Sequence, residues 1–510
     1  VLQSIHRKAF TDNHDDPYYH DIEEVAFTDP DGNEKTLFVP KGDIFHQFRK
    51  DVRSGNLPTV SWLVAPQRFS DHPSSAWYGA WYVSEALNIL TEDPEVWKKT
   101  IFILNYDEND GYFDHVPTYA APNPQDITTG KTSSGIDSAE EFVTLEEELS
   151  KPGMDPENAR ENSTGLGYRV PLIIASPWSR GGWVNSEICD ITSTLMFLET
   201  FLNKKFNLNI REENINSWRR AICGDLTSAF RPYNGEKIEF PEMLDRDSFM
   251  KTIRTARDKE IPQGYHAMTP AEVDELNQNP ENSPWMPRQE PGIRNSNALF
   301  YELLIEEKFD PGKEVFSLRM EAGKNNFGEK SLGAAFNVFA PGRFNQKNSK
   351  GEKEMLPVKF WSFATEAGDH VNYNWNLNDF EDSKYHLQLH SANGFYREYR
   401  GNEKNKVTIN ASYGLKKNNQ ENHLKLIIHN QNKNGQIECI ITDPTYQKSS
   451  QTSLVSAGEK VIIEIPVEKY HNWYDAEIRI KGDENYFRKF AGRIEDGFPS
   501  MTDPLMGGVL

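Results

Sequence analysis

"TIFILNYDENDGYFDHV", residues 100–116, drives a short apolar run straight into a knot of acids and aromatics. A near-continuous apolar run of this length suits a strand covered on both faces. The chain uses the device twice more nearby, in "TVSWLVA" (59–65) and "VPLIIAS" (170–176). Between the first two runs, "AWYGAWYVSEALNIL" (76–90) sets Ala80, Val83, Leu87 and Leu90 at helical spacing. After the third, Asp190 precedes "ITSTLMFLETFLN", which predicts an N-capped helix with Leu195, Leu198, Phe201 and Leu202 on one face. Strand, helix, strand in alternation predicts an α/β region built on a parallel sheet with flanking helices.

Outward from this region the texture changes. Residues 117–168, with the charge run "EEFVTLEEELS", read as an insertion at the sheet's edge whose acids form a solvated helix face. Residues 231–290, rich in Pro, Asn and charge, read as a connecting segment that ends an α/β domain (1–230) and leads into a β-rich region. From 291 onward short alternating runs such as "LKLIIHN" and "EKVIIEIPV" predict β-sandwich modules. "FYREYRG" (395–401) and "YFRKFAG" (486–492) share one pattern, so two tandem sandwiches are expected, 291–402 and 403–510.

Composition bounds the function. With 510 residues, 37% hydrophobic, including 29 Phe, 20 Tyr and 11 Trp, the chain can build large cores, and no run reaches the ~18 apolar residues of a membrane-spanning helix. A net charge of −21 disfavours nucleic acid and anionic surfaces. Three cysteines, Cys189, Cys223 and Cys439, form neither a disulfide framework nor a C-x-x-C site.

In open parallel sheets, ligands sit beyond the carboxyl ends of the strands. Asp107 and Glu108 fall at such an end, and adjacent acids there repel one another unless a cation joins them. His72 in "RFSDHP", His115 in "YFDHV" and Arg180 in "SPWSRGGW" belong to loops expected to open on the same edge. Together they compose a crevice for a metal-neutralised phosphoryl group. Taken singly, each residue has a plainer role: turn acid, surface histidine, glycine-rich turn. Trp77, Tyr78, Trp81 and Tyr82 are at a spacing commonly used for packing.

At these motifs the chain resembles the phosphocholine-preferring bacterial phospholipases C, in the acid-phosphatase-like branch of the alkaline phosphatase superfamily. The likeness runs through "LPTVSWLVAPQRFSDHPSSAWYGAWYVSEALNIL", "TIFILNYDENDGYFDHV" and "RVPLIIASPWSRGGWVNSEICDITSTLMFLE", and the closing repeats resemble that family's paired β domains. It implies an incomplete alkaline-phosphatase-like parallel sheet followed by two β-sandwich domains. It also implies hydrolysis of phosphatidylcholine-type diesters to diacylglycerol and phosphocholine, through a phospho-enzyme beside a divalent metal (Ca, Mg, Mn or Zn). A broader phosphomonoesterase or phosphodiesterase, and a non-catalytic lipid- or glycan-binding surface protein, stay open as alternatives.

Carried over by position, Asp107 and Glu108 match the family's acidic metal ligands. His72 matches a histidine near the phosphate and His115 lies in the matching "FDHV" segment, a histidine near the leaving oxygen serving to protonate the departing alkoxide; with Arg180 of the crevice they are the candidate catalytic residues. Trp77, Tyr78, Tyr112 and Trp178 are candidate aromatic faces for the quaternary ammonium. The "ENRSFDH"-type segment and the Ser/Thr nucleophile are not found in the 510 residues, and Thr192, Ser193 and Thr194 match nothing catalytic. The chain is therefore expected to be amino-terminally truncated and to hydrolyse phosphocholine esters poorly by itself. The resemblance further implies a phosphocholine lipid as partner, peripheral membrane contact, and a periplasmic or secreted location.

Overall fold

The computed structural model describes residues 22–510 apart from 41–42, 74–75, 115, 236, 238, 257, 287, 289, 348–350, 405 and 416–420. Chain contacts divide it into two units. The first takes the chain up to Asn105 with Leu172–Gly181 and Arg231–Pro287; the second takes Tyr106–Pro171, Gly182–Phe230 and Arg288–Leu510.

The first unit opens on an antiparallel hairpin, Ile22–Thr28 against Glu34–Pro40. Its turn is set by Asp29, whose carboxylate accepts the amides of Asp31 (3.0 Å) and Asn33 (2.8 Å), with Gly32 at positive φ. The expected helix is Tyr78–Thr91. Its buried face carries Trp81, Tyr82, Ala86, Ile89 and Leu90, rotated from the expected stripe: Ala80 is exposed, and Val83 and Leu87 are only half-buried. Aromatic bulk decides this, because Trp81 and Tyr82 pack on Phe45 and Phe69 with ring centroids 4.5–6.2 Å apart. Two helices, His46–Arg53 and Arg246–Ala256, add Val52 and Met250 to the same core.

Two of the three expected strands form. Phe102–Asn105 and Leu172–Ala175 pair with each other, but antiparallel, Phe102 opposite Ala175 and Asn105 opposite Leu172. The expectation of a parallel pair is corrected here, and with it the expectation that their following loops share an edge. Residues 59–65 form no strand: Leu63 and Ala65 pack on the core while Trp62 and Val64 are exposed, and among the described residues no strand offers this segment a ladder. The two-stranded ladder leaves the Ile173 side chain 56% exposed on its face.

In the second unit, Asp190 caps Ile191–Phe206 as expected, accepting the amides of Thr192 (2.9 Å) and Ser193 (3.2 Å). The deepest residues of this helix are Ser193, Met196 and Phe197 rather than the leucine stripe. The acidic run gives a short exposed helix, Leu145–Ser150, closed by a Thr144 and Glu147 capping box. The insertion also sends Gly130–Thr132 into a sheet, parallel to Lys359–Thr365. A Cβ at Gly130 would lie 1.8 Å from the Ser362 carbonyl oxygen, so only glycine lets the backbones meet.

The β-rich remainder is a repeated sandwich. Leu303–Asp310, Val315–Ala322 and His370–Asn376 form one three-stranded sheet; Val407–Gly414, His423–Asn430 and Lys460–Pro466 form its counterpart. Both face a single nine-stranded sheet that runs through both repeats, joined where Tyr396–Gly401 pairs antiparallel with Asp483–Arg493. The joint is the repeated motif itself. Arg397 lies opposite Phe490 and Tyr399 opposite Arg488, so Glu398 and Lys489 sit on a local twofold.

Across this joint the arginines exchange places. Arg488, from the second repeat, is 1% exposed and lies over Phe316, Tyr385 and Tyr399 of the first repeat's core. Arg397, also 1% exposed, reaches from Phe395 of its own repeat (3.9 Å) over Phe490 and Tyr474 of the second (5.3 and 5.6 Å). All five Arg488 donors are used: two nitrogens on the Glu307 carboxylate (2.7–3.0 Å), and further bonds to the Tyr385 hydroxyl and the Arg400 and Phe487 carbonyls. Arg397 donates to two carbonyls and to the hydroxyls of Tyr413 and Tyr474.

Candidate functional site

The acid-bearing loop belongs to the second unit. Asp107 and Glu108 are both exposed. Beyond them the chain turns tightly: the Asn109 carboxamide oxygen accepts the Gly111 amide (2.8 Å), the Asp110 carboxylate accepts that of Tyr112 (3.1 Å), and Gly111 takes φ +82°. Arg169, just before the strand Leu172–Ala175, holds the loop through Asp110 (3.3 Å) and Asp114 (3.5 Å). The Tyr112 amide and the Arg169 guanidinium together draw Asp110 below the ordinary carboxylate range. Phe113 stands edge-on to Tyr168 at 5.6 Å, yet Tyr112 and Phe113 remain 71% and 84% exposed. His115 lies outside the described residues.

His72 belongs to a strained loop of the first unit. Its amide donates to the Ser70 hydroxyl (3.3 Å) and its side chain is exposed. Its neighbour Asp71 has φ +62°, and the Asp71 carboxylate accepts the Gly79 amide (2.8 Å) at the start of the helix Tyr78–Thr91. That carboxylate lies 2.5–2.7 Å from where a Gly79 Cβ would be, so any larger residue there would push the loop away. Trp77 sits at φ +75°, costly for a bulky side chain, and is 70% exposed. Tyr78 instead packs against the core.

Trp178 and Arg180 follow Leu172–Ala175 and so leave the ladder from the end opposite to Asn105. The turn that carries them is tied by the Ser179 hydroxyl to the Ile174 carbonyl (2.9 Å). Arg180 donates to the Pro177 carbonyl and lies 5.3 Å from the Tyr233 ring centroid, and its own carbonyl accepts from Arg231 (2.7 Å). The Trp178 carbonyl accepts the Arg231 amide (2.8 Å). Sequence reasoning placed these residues beside the acids on the premise of parallel strands. It also passed over Arg169, whose signal was a lone basic residue directly before an apolar run.

The expected residues thus fall on three loops. Asp107, Glu108 and Tyr112 share one, His72 and Trp77 a second that leads into Tyr78 at the start of its helix, Trp178 and Arg180 a third. The carboxylates have the right chemistry for a hard divalent cation, but two donors are too few for the six or more that such a cation takes. Among the described residues no group of three or more His, Cys, Asp or Glu is arranged to hold a metal. No chemical step is therefore assigned through one.

Comparison with known proteins supplies what the loops alone do not. Residues 16–208 match the phosphoesterase family, and residues 298–402 and 407–493 each match the bacterial phospholipase C C-terminal domain. The non-hemolytic phospholipase C of Pseudomonas aeruginosa is 33% identical over 90% of this chain and 60% of its own length. That of Burkholderia pseudomallei is 31% identical over 91% and 59%. Phospholipase C B of Mycobacterium tuberculosis is 39% identical over 36% of this chain and 31% of its own. The chain spans about 60% of the length of the first two relatives. Its amino-terminal region belongs to the phosphoesterase family, and its β-rich region carries two copies of the C-terminal domain of bacterial phospholipases C.

Proposed function

We propose that this chain is part of a phospholipase C that cleaves phosphatidylcholine-type diesters to diacylglycerol and phosphocholine. The observation that carries the reading is the order of its parts. A phosphoesterase region followed by paired C-terminal domains aligns over about nine-tenths of the chain with proteins named phospholipase C. In this reading Asp107 and Glu108 are two carboxylate ligands of a divalent cation, whose remaining donors lie outside the described residues. His115, on the same stretch of chain, protonates the leaving alkoxide, and the exposed face of Tyr112 receives the choline group.

An exported protein working on zwitterionic lipid also suits a charge of −21, which anionic surfaces would repel. Among the described residues no helix is long and apolar enough to cross a membrane.

The test compares the chain alone with a fusion to the portion of the Pseudomonas aeruginosa relative that it does not span. Both are assayed on p-nitrophenyl phosphocholine and on p-nitrophenyl phosphate. The reading expects diester turnover by the fusion, abolished by Asp107→Ala, and little by the chain alone. A folded fusion inert on both esters, or turnover that survives Asp107→Ala, overturns it. Preference for the monoester replaces it with a broader phosphomonoesterase.

A further inference from the structure

Two cysteines that are distant in sequence stand at helix ends, Cys189 just before the Asp190 cap of Ile191–Phe206 and Cys223 at the end of Ser217–Ile222, where Arg219 links the second helix to Asp190. The segments that bring them there run antiparallel. Asn185 donates to the Ser228 hydroxyl (2.8 Å), the Gly224 amide donates to the Ile188 carbonyl (2.8 Å), and the Arg219 guanidinium reaches the Asp190 carboxylate. As one segment climbs from 185 to 190, its partners descend from 228 to 219. The Gly224-to-Ile188 bond joins the peptide groups that Cys223 and Cys189 share with those residues, so the two cysteines flank one backbone hydrogen bond, while the Ile188 amide turns to the Tyr301 hydroxyl (3.1 Å).

In opposed backbone, residues that flank one shared hydrogen bond have Cα atoms roughly 5 Å apart. That separation lies within the range a disulfide spans, about 4.4–6.8 Å. We propose that Cys189 and Cys223 are a disulfide site, closed by a small-molecule disulfide or a thiol oxidase during folding in an oxidising compartment. Cys189 attacks the oxidant's disulfide as its thiolate and expels one thiol. Cys223 then attacks the mixed disulfide and expels the second. Two thiol protons and two electrons pass to the oxidant, and one S–S bond forms.

The surroundings favour closure during folding over later switching. Burial first, then the neighbouring Glu187 carboxylate, push the Cys189 thiol up to about 12, and burial pushes Cys223 well above its ordinary value. At neutral pH in the folded chain few thiolates form, so exchange is slow once the protein has packed. The bond closes a loop of roughly 35 residues. It fastens the cap of Ile191–Phe206 to the last turn of Ser217–Ile222, a junction where Arg219 already bridges Asp190 and Glu141. Cys439 is buried in the second sandwich core and has no part in it.

The full chain is refolded in a glutathione redox buffer, denatured in excess alkylating reagent and weighed. The expected result is one alkylated cysteine of the three, Cys439, with a mass about 2 Da below that of the reduced chain before alkylation is counted. A peptide pair joined through Cys189 and Cys223 should appear in the unreduced digest. Prior reduction restores three alkylated cysteines, and Cys439→Ser lowers the oxidised count to none. Three alkylated cysteines after oxidative refolding, or a bond that includes Cys439, overturns the proposal.

Discussion

Replacing Glu307 or Arg488 tests whether the two β repeats share one core. Both side chains are at most 1% exposed, and the carboxylate also accepts the Ile409 amide (2.6 Å). Removing either partner leaves the other as an uncompensated buried charge, so Glu307→Leu and Arg488→Met should each cost about 3–5 kcal/mol. The double variant strands no charge. It does orphan the Tyr385 hydroxyl, the Arg400 and Phe487 carbonyls and the Ile409 amide, at roughly 1 kcal/mol each. Its cost, roughly 4 kcal/mol, then falls short of the summed singles by about 2 kcal/mol or more.

Arg397 supplies the internal control. Its partners are neutral carbonyls and hydroxyls, so Arg397→Met leaves no bare charge and should cost about 1–3 kcal/mol. Guanidinium unfolding gives the totals. Amide exchange in the peptides covering 396–401 and 483–493 shows whether both repeats loosen together when either arginine is changed. Additive singles, or exchange that rises in one repeat alone, would refute the reasoning.

Three further outcomes are expected. The Glu398 carboxyl is raised by burial, but hydrogen bonds from His386, Tyr396 and Arg400 outweigh that and hold it at about 2, below its ordinary 4.5. Its folded value being the lower, its contribution is present above pH 4.5 and lost as pH falls toward 2; Glu398→Gln should flatten the stability profile across that window in acid titration of unfolding. Trp77→Gly should relieve the left-handed backbone and raise stability by about 1 kcal/mol; calorimetry reads the change, and a stability loss contradicts the strain. Arg169→Met should leave the melting temperature nearly unchanged but speed amide exchange across 109–114, an effect that 1 M salt reproduces in the unaltered protein.

The fold was legible where local signals and long-range pairing agreed. The repeated "FYREYRG" and "YFRKFAG" announced two sandwiches, and Asp190 announced its helix by side-chain chemistry that acts within one turn. Strand direction is another matter. An apolar run says that a strand is covered but not which way its neighbour points, and Phe102–Asn105 and Leu172–Ala175 pair antiparallel where parallel pairing was expected. Residues 59–65 show the same limit from the other side, since their apolar alternation is real and their two inward residues do pack, yet among the described residues no partner strand forms the ladder.

The site was legible to the extent that its residues are adjacent in sequence. Asp107 and Glu108 stay together because one loop carries both, and the device that fixes the loop, Arg169 on Asp110 and Asp114, needed coordinates to be seen. The same reasoning explains the cysteines. Sequence spacing excluded a C-x-x-C site and went no further, because Cys189 and Cys223 come to flank one backbone hydrogen bond, Gly224 to Ile188, only through segments far apart in the chain. The packing that folds one apolar face against another also decides which polar and sulfur groups meet, and chemistry made by such meetings is open to inspection only after the packing is known.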